Sequence, residues 1–101
     1  MRIVQGEVRV HPEDMAALKK LAAPFIAATK AEKGLLHYGF AEDFGEPGLV
    51  HVVERWATQP DLDAHAQAPH TQAFLAEFGK LRVLGATLLR FDAANPFTIM
   101  G

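Results

Sequence analysis

LLHYGFAEDFGEPGLVHVVERWA, residues 35–57, is the stretch that decides the fold. Apolar and polar residues alternate over 35–43 and again over 49–57, which is typical of half-buried strands. The glycines and proline of 44–48 supply turn chemistry, so the two strands are predicted to form an antiparallel hairpin. The alternation places Leu36, Tyr38 and Phe40 on one face of the first strand. It places Val50, Val52, Glu54 and Trp56 on one face of the second.

The segment before the hairpin predicts one strand and one helix. Residues 2–10 alternate as a strand, and Pro12 with two following acids is typical of a helix start. Apolar residues then recur at helical spacing as far as Thr29. Pro24 lies inside this pattern and is expected to kink or divide the helix, because it cannot donate a backbone hydrogen bond. Gly34 is the predicted stop.

The segment after the hairpin predicts two short helices and a final strand. Thr58 begins a capping box for a helix over 61–67, and the proline of Ala68-Pro69 should end it. A second helix is predicted from about His70, and the last strand covers 86–92. The element order is therefore β-α-β-β-α-β, which indicates an α+β domain of the ferredoxin-like, split βαβ type.

Residues 1–101 are expected to form a single domain whose antiparallel sheet has helices on one face only. Both faces of the hairpin strands carry apolar side chains, so the open face needs a cover, and a second copy of the chain is the simplest one. We therefore expect a homodimer with its sheets face to face. The tail, residues 93–101, is expected to reach the partner subunit; covering the edge of its own sheet is the alternative.

Composition excludes several classes of function. The net charge is −2 with no basic stripe, which argues against a nucleic-acid partner. The chain has no cysteine, so disulfides, thiolate nucleophiles and zinc–thiolate sites are excluded. No apolar run is long enough for a membrane span or has the form of a signal peptide, so no membrane partner and a cytoplasmic location are expected.

Three polar residues are candidates for chemistry. Glu54 shares a strand face with Val52 and Trp56, where a carboxylate is unusual unless it is paired or functional. The plain alternative is a salt bridge, for example with Arg90, or a bond to a backbone amide. His65 and His70 flank the helix break and could accept a proton near neutral pH. Their plain alternative is a bond to a backbone carbonyl that closes the break.

A metal site is not expected. The five histidines include no His-x-His or His-x-x-x-His spacing, and a zinc or iron site usually needs three oriented side-chain ligands. The chain also has no nucleophile elbow, phosphate-binding glycine loop or dinucleotide fingerprint.

Three motifs together resemble the antibiotic biosynthesis monooxygenase family: ERWAT (54–58), LDAH (62–65) and APHTQAF (68–74). Gly34 before a strand that contains Tyr38 agrees with this resemblance, which extends to about residue 92. It implies a dimeric α/β barrel of ferredoxin-like subunits. It also implies oxidation of electron-rich aromatics, such as quinols, anthrones or phenols, by molecular oxygen without flavin or metal, and so without a cofactor.

Under that resemblance the chain is expected to be a cofactor-independent monooxygenase. His65 or His70 would take the proton and Glu54 would orient one of them. The expected ring-binding residues are Trp56, Tyr38, Phe74, Val52 and Leu62. A non-catalytic ligand-binding dimer and a pure assembly module are the alternatives from other classes. Haem degradation is a weaker alternative, because the first strand has Gln5-Gly6-Glu7 where haem-degrading relatives have an asparagine.

Overall fold

The computed structural model describes residues 1–101 and contains one four-stranded sheet with helices packed on it. The strands are β1 (Arg2–Val10), β2 (Leu35–Glu42), β3 (Leu49–Trp56) and β4 (Val83–Asp92). The helices are α1 (Met15–Thr29), α2 (Gln59–Gln67) and α3 (Pro69–Phe78), with a short 3-10 turn (Pro12–Asp14) before α1. The strand order is β2-β3-β1-β4 and every neighbouring pair is antiparallel. The predicted ferredoxin-like α+β fold is confirmed; the sheet of the single chain is open, so closure into a barrel would require a second copy.

Strand register places the helix-facing side chains in rows. Tyr38 on β2 lies opposite Glu54 on β3, and Glu54 lies opposite Val4 on β1. In β2 the register shifts between Leu35 and His37, and Leu35 pairs with Trp56. Leu35 therefore packs against the core and Leu36 is exposed, so the predicted placement of Leu36 beside Tyr38 was wrong. An extra residue in a strand reverses the alternation beyond it, and the sequence pattern alone does not reveal this.

The core lies between the sheet and α1 with α3. Phe25 of α1 and Phe74 of α3 are stacked, with ring centroids 4.2 Å apart and planes inclined by 10°. Helix α1 continues through Pro24, so the predicted division of the helix does not occur. Buried Leu18 and Ala22 before the proline and Phe25 after it hold both halves on the sheet, and this burial offsets a loss of about 3 kcal/mol at the proline.

The break between α2 and α3 follows from local chemistry. Thr58 caps α2, because its side chain accepts a hydrogen bond from the backbone N–H of Asp61, as predicted. Ala68 is extended, with ψ 143°, and Pro69 begins α3 at a position where its missing N–H costs nothing. The two helices therefore turn sharply at Ala68, which brings His65 and His70 to one region.

Strand β4 is the part of the sheet that the helices do not cover, and every one of its residues is exposed. Its apolar residues Leu84, Leu88, Leu89 and Phe91 are among the exposed large side chains, as are Phe97, Ile99 and Met100 of the tail. No helix combines the length and the apolar character needed to cross a membrane. The cytoplasmic location stays a prediction.

Candidate active site

A cavity of about 380 Å³ opens between the sheet and helices α1, α2 and α3. Fifteen of its 18 lining residues are hydrophobic, and its walls include Phe25, Phe40 and Phe74. An apolar, concave space of this size, carrying a few polar groups, is typical of a site for a small organic ligand. Exposed Ala86 and Leu88 of β4 form part of its rim, so the open side of the cavity faces the uncovered end of the sheet.

Four polar side chains line this apolar space and are themselves almost fully buried. One is Thr71, which is 6% exposed and has its Oγ1 3.5 Å from His65 Nδ1. The other three are Glu54, His65 and Tyr38. The exposed fractions are 6% for Glu54, 5% for His65 and 7% for Tyr38. Glu54 Oε2, His65 Nε2 and Tyr38 Oη make no hydrogen bond within the protein, although no fully enclosed side-chain N or O atom lacks a partner. These three atoms are therefore accessible from the cavity. They form the polar end of the site.

Glu54 is held by the indole that follows it on the same face of β3. The Nε1–H of Trp56 donates to Glu54 Oε1 over 3.0 Å, which leaves Oε2 free. Burial raises the pKa of Glu54, and the bond from Trp56 and the nearby His65 oppose this rise without cancelling it. The expected pairing with Arg90 does not occur, because Arg90 instead donates to the side chain of Gln59.

Tyr38 stays a neutral hydroxyl. Burial raises the pKa of its phenol far above the ordinary value, and the carboxylates of Glu54 and Glu32 add to the rise. The ring of Tyr38 packs against His65, with centroids 5.3 Å apart. Tyr38 can therefore donate a hydrogen bond into the cavity but cannot serve as a base.

His65 and His70 are joined by one carboxylate oxygen. His65 Nδ1 lies 2.6 Å from Glu32 Oε2, and His70 Nε2 lies 3.0 Å from the same oxygen. A carboxylate oxygen only accepts hydrogen bonds, so both imidazoles donate to it. This fixes the tautomer of His65 with its proton on Nδ1 and leaves the lone pair of Nε2 facing the cavity. Neither histidine makes the predicted bond to a backbone carbonyl with its side chain.

Glu32 is the functional candidate that sequence reasoning missed. It lies in the turn after α1, where its backbone N–H bonds to Thr29 and its carbonyl accepts from Leu35. Gly34, at φ +79°, supports this turn in the left-handed region that favours glycine. In the sequence Glu32 lies between lysines in a charged segment, and only the packing of α2 and α3 brings it to the histidines.

His70 lies outside the cavity. It lines a shallow cleft on the other side of Phe25 and Phe74, together with Pro24 and Glu77. Its side chain is 27% exposed, whereas those of Glu32 and His65 are 15% and 7% exposed. His70 is thus the outer member of the trio and His65 the inner one.

Glu32, His65 and His70 are also the group that could hold a metal ion. Their ligand atoms all lie within 4.8 Å of one another, and two imidazoles with one carboxylate would suit a transition metal. In the structure three of these atoms, Glu32 Oε2, His65 Nδ1 and His70 Nε2, are joined by two hydrogen bonds. The arrangement is equally that of a histidine base held by a carboxylate.

The predicted site residues divide into two sets. Six of them line the cavity: Glu54, His65, Tyr38, Phe74, Val52 and Leu62. Trp56 and His70 do not. Trp56 has an exposed fraction of 0%, so its indole cannot touch a ligand in the cavity, and its role is to hold Glu54 from beneath. Glu54 makes no hydrogen bond to a histidine; the carboxylate that bonds to His65 and His70 is that of Glu32.

Residues 1–77 match the model of the antibiotic biosynthesis monooxygenase family. The chain belongs to this family. It is 31% identical over 80 residues to Rv0793 of Mycobacterium tuberculosis, covering 77% of this chain and 78% of that protein. It is 26% identical to YcnE of Bacillus subtilis, covering 76% of this chain and 81% of that protein. Both relatives carry the provisional name of monooxygenase.

Two further comparisons extend the family match. A protein of Synechocystis with no assigned role is 27% identical to this chain over 97 residues. The match covers 96% of this chain and 66% of that protein. Among solved structures, a provisionally assigned antibiotic biosynthesis monooxygenase of Deinococcus radiodurans is similar, with a TM-score of 0.91 and 27% identity over all of both chains. One from Caulobacter crescentus has a TM-score of 0.87 and 25% identity, covering 93% and 90% of the two chains.

Proposed function

We propose that this chain is a cofactor-independent monooxygenase that oxidises a small electron-rich aromatic, such as a quinol, anthrone or phenol, with molecular oxygen. The proposal rests on the position of His65. Its Nε2 faces an apolar cavity of about 380 Å³ while its Nδ1 is held by Glu32. A base in this position, next to walls of aromatic rings, suits a flat aromatic with an acidic hydroxyl or ring C–H. Membership of the family supports a monooxygenase type of role.

The proposed chemistry begins with removal of a proton from the aromatic by His65 Nε2. The imidazolium formed is stabilised by the Glu32 carboxylate 2.6 Å from Nδ1. The aromatic anion is a strong enough reductant to transfer an electron to oxygen. For a substrate with a ring CH₂, one oxygen atom ends as a carbonyl on that carbon and the other leaves as water with the two hydrogens. The protein binds the ring, takes the proton and excludes bulk water.

We also propose that the protein is a homodimer that closes the sheets into a barrel. The face away from the helices carries exposed Val53, Leu89 and Phe91 around a shallow concavity, and the tail adds Phe97 and Ile99. Apolar groups at this density usually mark an interface. Light scattering should give twice the 11.0 kDa chain mass, and deletion of residues 93–101 should weaken the dimer if the tail reaches the partner.

Oxygen uptake tests the proposed reaction. Protein treated with a chelator is mixed with a panel of hydroquinones and anthrones, and uptake is compared with the spontaneous rate. We expect acceleration that survives chelation and falls about 100-fold in His65→Gln, the usual scale for loss of a general base. His37→Gln is the control, since His37 is exposed and lines neither the cavity nor the concavity of the proposed interface. No acceleration with any compound, or an active His65→Gln, would refute the proposal.

The second candidate is a ligand-binding dimer without catalysis, which the apolar lining of the cavity favours. It predicts saturable binding of the same aromatics by calorimetry together with oxygen uptake at the spontaneous rate. Binding that Leu62→Trp blocks would place the ligand in the cavity under either function.

A further inference from the structure

The cluster of Glu32, His65 and His70 contains a carboxylate that no lysine or arginine pairs with. The side chain of Glu32 is 15% exposed, and the groups within ion-pairing distance of it are the imidazoles of His65 and His70. Lys30 and Lys33, close to it along the chain, form no ion pair with it. Carboxylates removed from water are usually paired with a cation or bind a metal ion. The cluster therefore has the charge and the ligand types for a divalent cation.

The three ligand atoms are already close to the spacing of a metal site. One nitrogen of each histidine and one carboxylate oxygen all lie within 4.8 Å of one another, and the two nitrogens lie 2.6 and 3.0 Å from Glu32 Oε2. With bonds of about 2.0–2.1 Å, the ligands of a tetrahedral zinc ion are roughly 3.3 Å apart, so no pair has to move by more than about 1.5 Å. Imidazole and carboxylate ligands suit zinc, and its filled d shell imposes no geometry, so an irregular set of ligands is tolerated.

The fold supplies these ligands from three separate elements. Glu32 lies in the turn after α1, His65 in the last turn of α2 and His70 in the first turn of α3. The sharp turn at Ala68 brings the two histidines together, with ring centroids 6.2 Å apart. The sequence predicts no metal site because two histidines five residues apart, across a helix break, have none of the usual ligand spacings.

An ion can reach the cluster without entering the cavity. His70 lines the cleft on the outer side of Phe25 and Phe74, and this cleft has a volume of about 250 Å³. The side chain of His70 is 27% exposed, and Glu77 adds a second carboxylate to the same cleft. The cluster is therefore open to a cation on the side opposite to the proposed substrate.

We propose that Glu32, His65 Nδ1 and His70 Nε2 form a binding site for Zn²⁺, and that the bound ion prevents His65 from acting as a base. The binding of zinc is independent of the proposed function, whereas its effect on catalysis rests on that function.

The effect on His65 follows from the number of protons on an imidazole. A neutral imidazole carries one proton on its two nitrogens, and a nitrogen that binds a metal ion carries none. When zinc binds Nδ1 of His65, the proton of this ring moves to Nε2. The proton of His70 moves from Nε2 to Nδ1 in the same way, so no proton is gained or lost. His65 Nε2 then donates a hydrogen bond into the cavity and can no longer accept a proton from a substrate.

Nitrogen-15 spectra of histidine-labelled wild-type protein test the site and the proton shift together. The protein is treated with a chelator, dialysed and titrated with zinc chloride. We expect Nε2 of His65 to change from an unprotonated nitrogen to an N–H, while the nitrogens of exposed His37 keep their chemical shifts. Zinc that saturates the protein but leaves the proton of His65 on Nδ1 overturns the inference.

Calorimetry with zinc chloride measures the affinity. We expect wild type to bind one ion per chain and His70→Gln to bind it about 10- to 100-fold more weakly, because this variant lacks one ligand. The control is His37→Gln, which removes an exposed histidine away from the cluster and should bind zinc as tightly as wild type. Equal affinities of wild type and His70→Gln overturn the inference.

Oxygen uptake separates the failure of the zinc site from the failure of the proposed function. With an aromatic that wild type oxidises, saturating zinc should lower the rate about 100-fold, the usual scale for loss of a general base. His70→Gln should need at least about 10-fold more zinc for the same fractional loss of its own rate. A wild-type rate that saturating zinc leaves unchanged overturns the proposed effect on His65. If no aromatic is oxidised at any zinc concentration, the proposed function fails, and the spectra and calorimetry still establish or overturn the zinc site.

Discussion

Replacement of Glu32 by glutamine tests whether one carboxylate organises the site. The substitution keeps the shape of the side chain and removes its charge, so His65 and His70 lose a charged acceptor at 2.6 and 3.0 Å and keep a neutral one. A hydrogen bond to a charged group is worth roughly 1.5–3 kcal/mol, against roughly 0.5–1.5 kcal/mol for a neutral pair.

For the two bonds together, replacing the charged acceptor by a neutral one should lower the free energy of unfolding by about 2 kcal/mol. Because His70 is partly exposed, the expected loss is about 1–2 kcal/mol. For a domain of this size, that loss corresponds to a fall in Tm of roughly 5–15 °C. Urea unfolding gives the free energy, and a thermal melt gives the shift. Oxygen uptake should fall as well, because an amide at position 32 no longer stabilises an imidazolium at His65.

The matched control is Asp43→Asn. Asp43 and His51 form the same type of pair over 2.8 Å, but at the surface, with side chains 33% and 41% exposed. Exposed pairs of this kind contribute roughly 0–1 kcal/mol, so this variant should be nearly as stable as wild type. The reasoning is refuted if Glu32→Gln is no less stable than Asp43→Asn, or if it keeps full activity.

Three further predictions concern the scaffold. Trp56→Ala should lower the free energy of unfolding by about 3–5 kcal/mol in urea titrations, because the indole is fully buried. A loss below about 1 kcal/mol would contradict this, since it would mean that the surrounding core fills the cavity left by the indole. Gly34→Ala should destabilise by roughly 1–3 kcal/mol, since φ is +79° and the new Cβ would lie 2.1 Å from Asp61 Oδ2; unchanged stability would contradict this. Arg82 lowers the pKa of Asp14 from 3.8 to about 2, so the stability this pair contributes is complete above pH 4 and is lost as the pH falls toward 2. Melting temperatures measured across that range should fall less steeply in Asp14→Asn than in wild type, and parallel curves would contradict the assignment.

The sequence allowed the elements to be predicted because each depends on local chemistry. The alternation of the hairpin, the Thr58 cap and the break at Pro69 all lie within a few residues of the features they determine. Tertiary packing prevails over local preference at two places. Pro24 does not divide helix α1, because buried residues on both sides hold the helix on the sheet. The predicted placement of Leu36 was wrong, because the irregular start of β2 moves Leu36 to the surface.

The site was predictable only in part, for the same reason. His65 and Glu54 were identifiable as polar residues on apolar faces, and both line the cavity. Glu32 was not identifiable, because it is 33 residues from His65 in sequence and its neighbourhood has no pattern. Trp56 was expected to touch the ligand, but its side chain is completely buried. This burial results from the packing of α2 on β3, where His65 covers the indole, and the sequence does not reveal that packing.

The most direct test of the central claim is a titration of ¹⁵N-histidine-labelled protein with an aromatic compound that is turned over or bound. Multiple-bond ¹H–¹⁵N spectra report each imidazole nitrogen separately. When the hydroxyl or acidic C–H of the compound lies against His65, the ¹⁵N chemical shift of His65 Nε2 should change strongly. The chemical shift of its Nδ1 should still show the N–H bonded to Glu32, and the chemical shifts of His51 should stay unchanged. A His65 signal that stays fixed while the compound binds, or one that moves no more than that of His51, would contradict the claim that His65 is the base of this cavity.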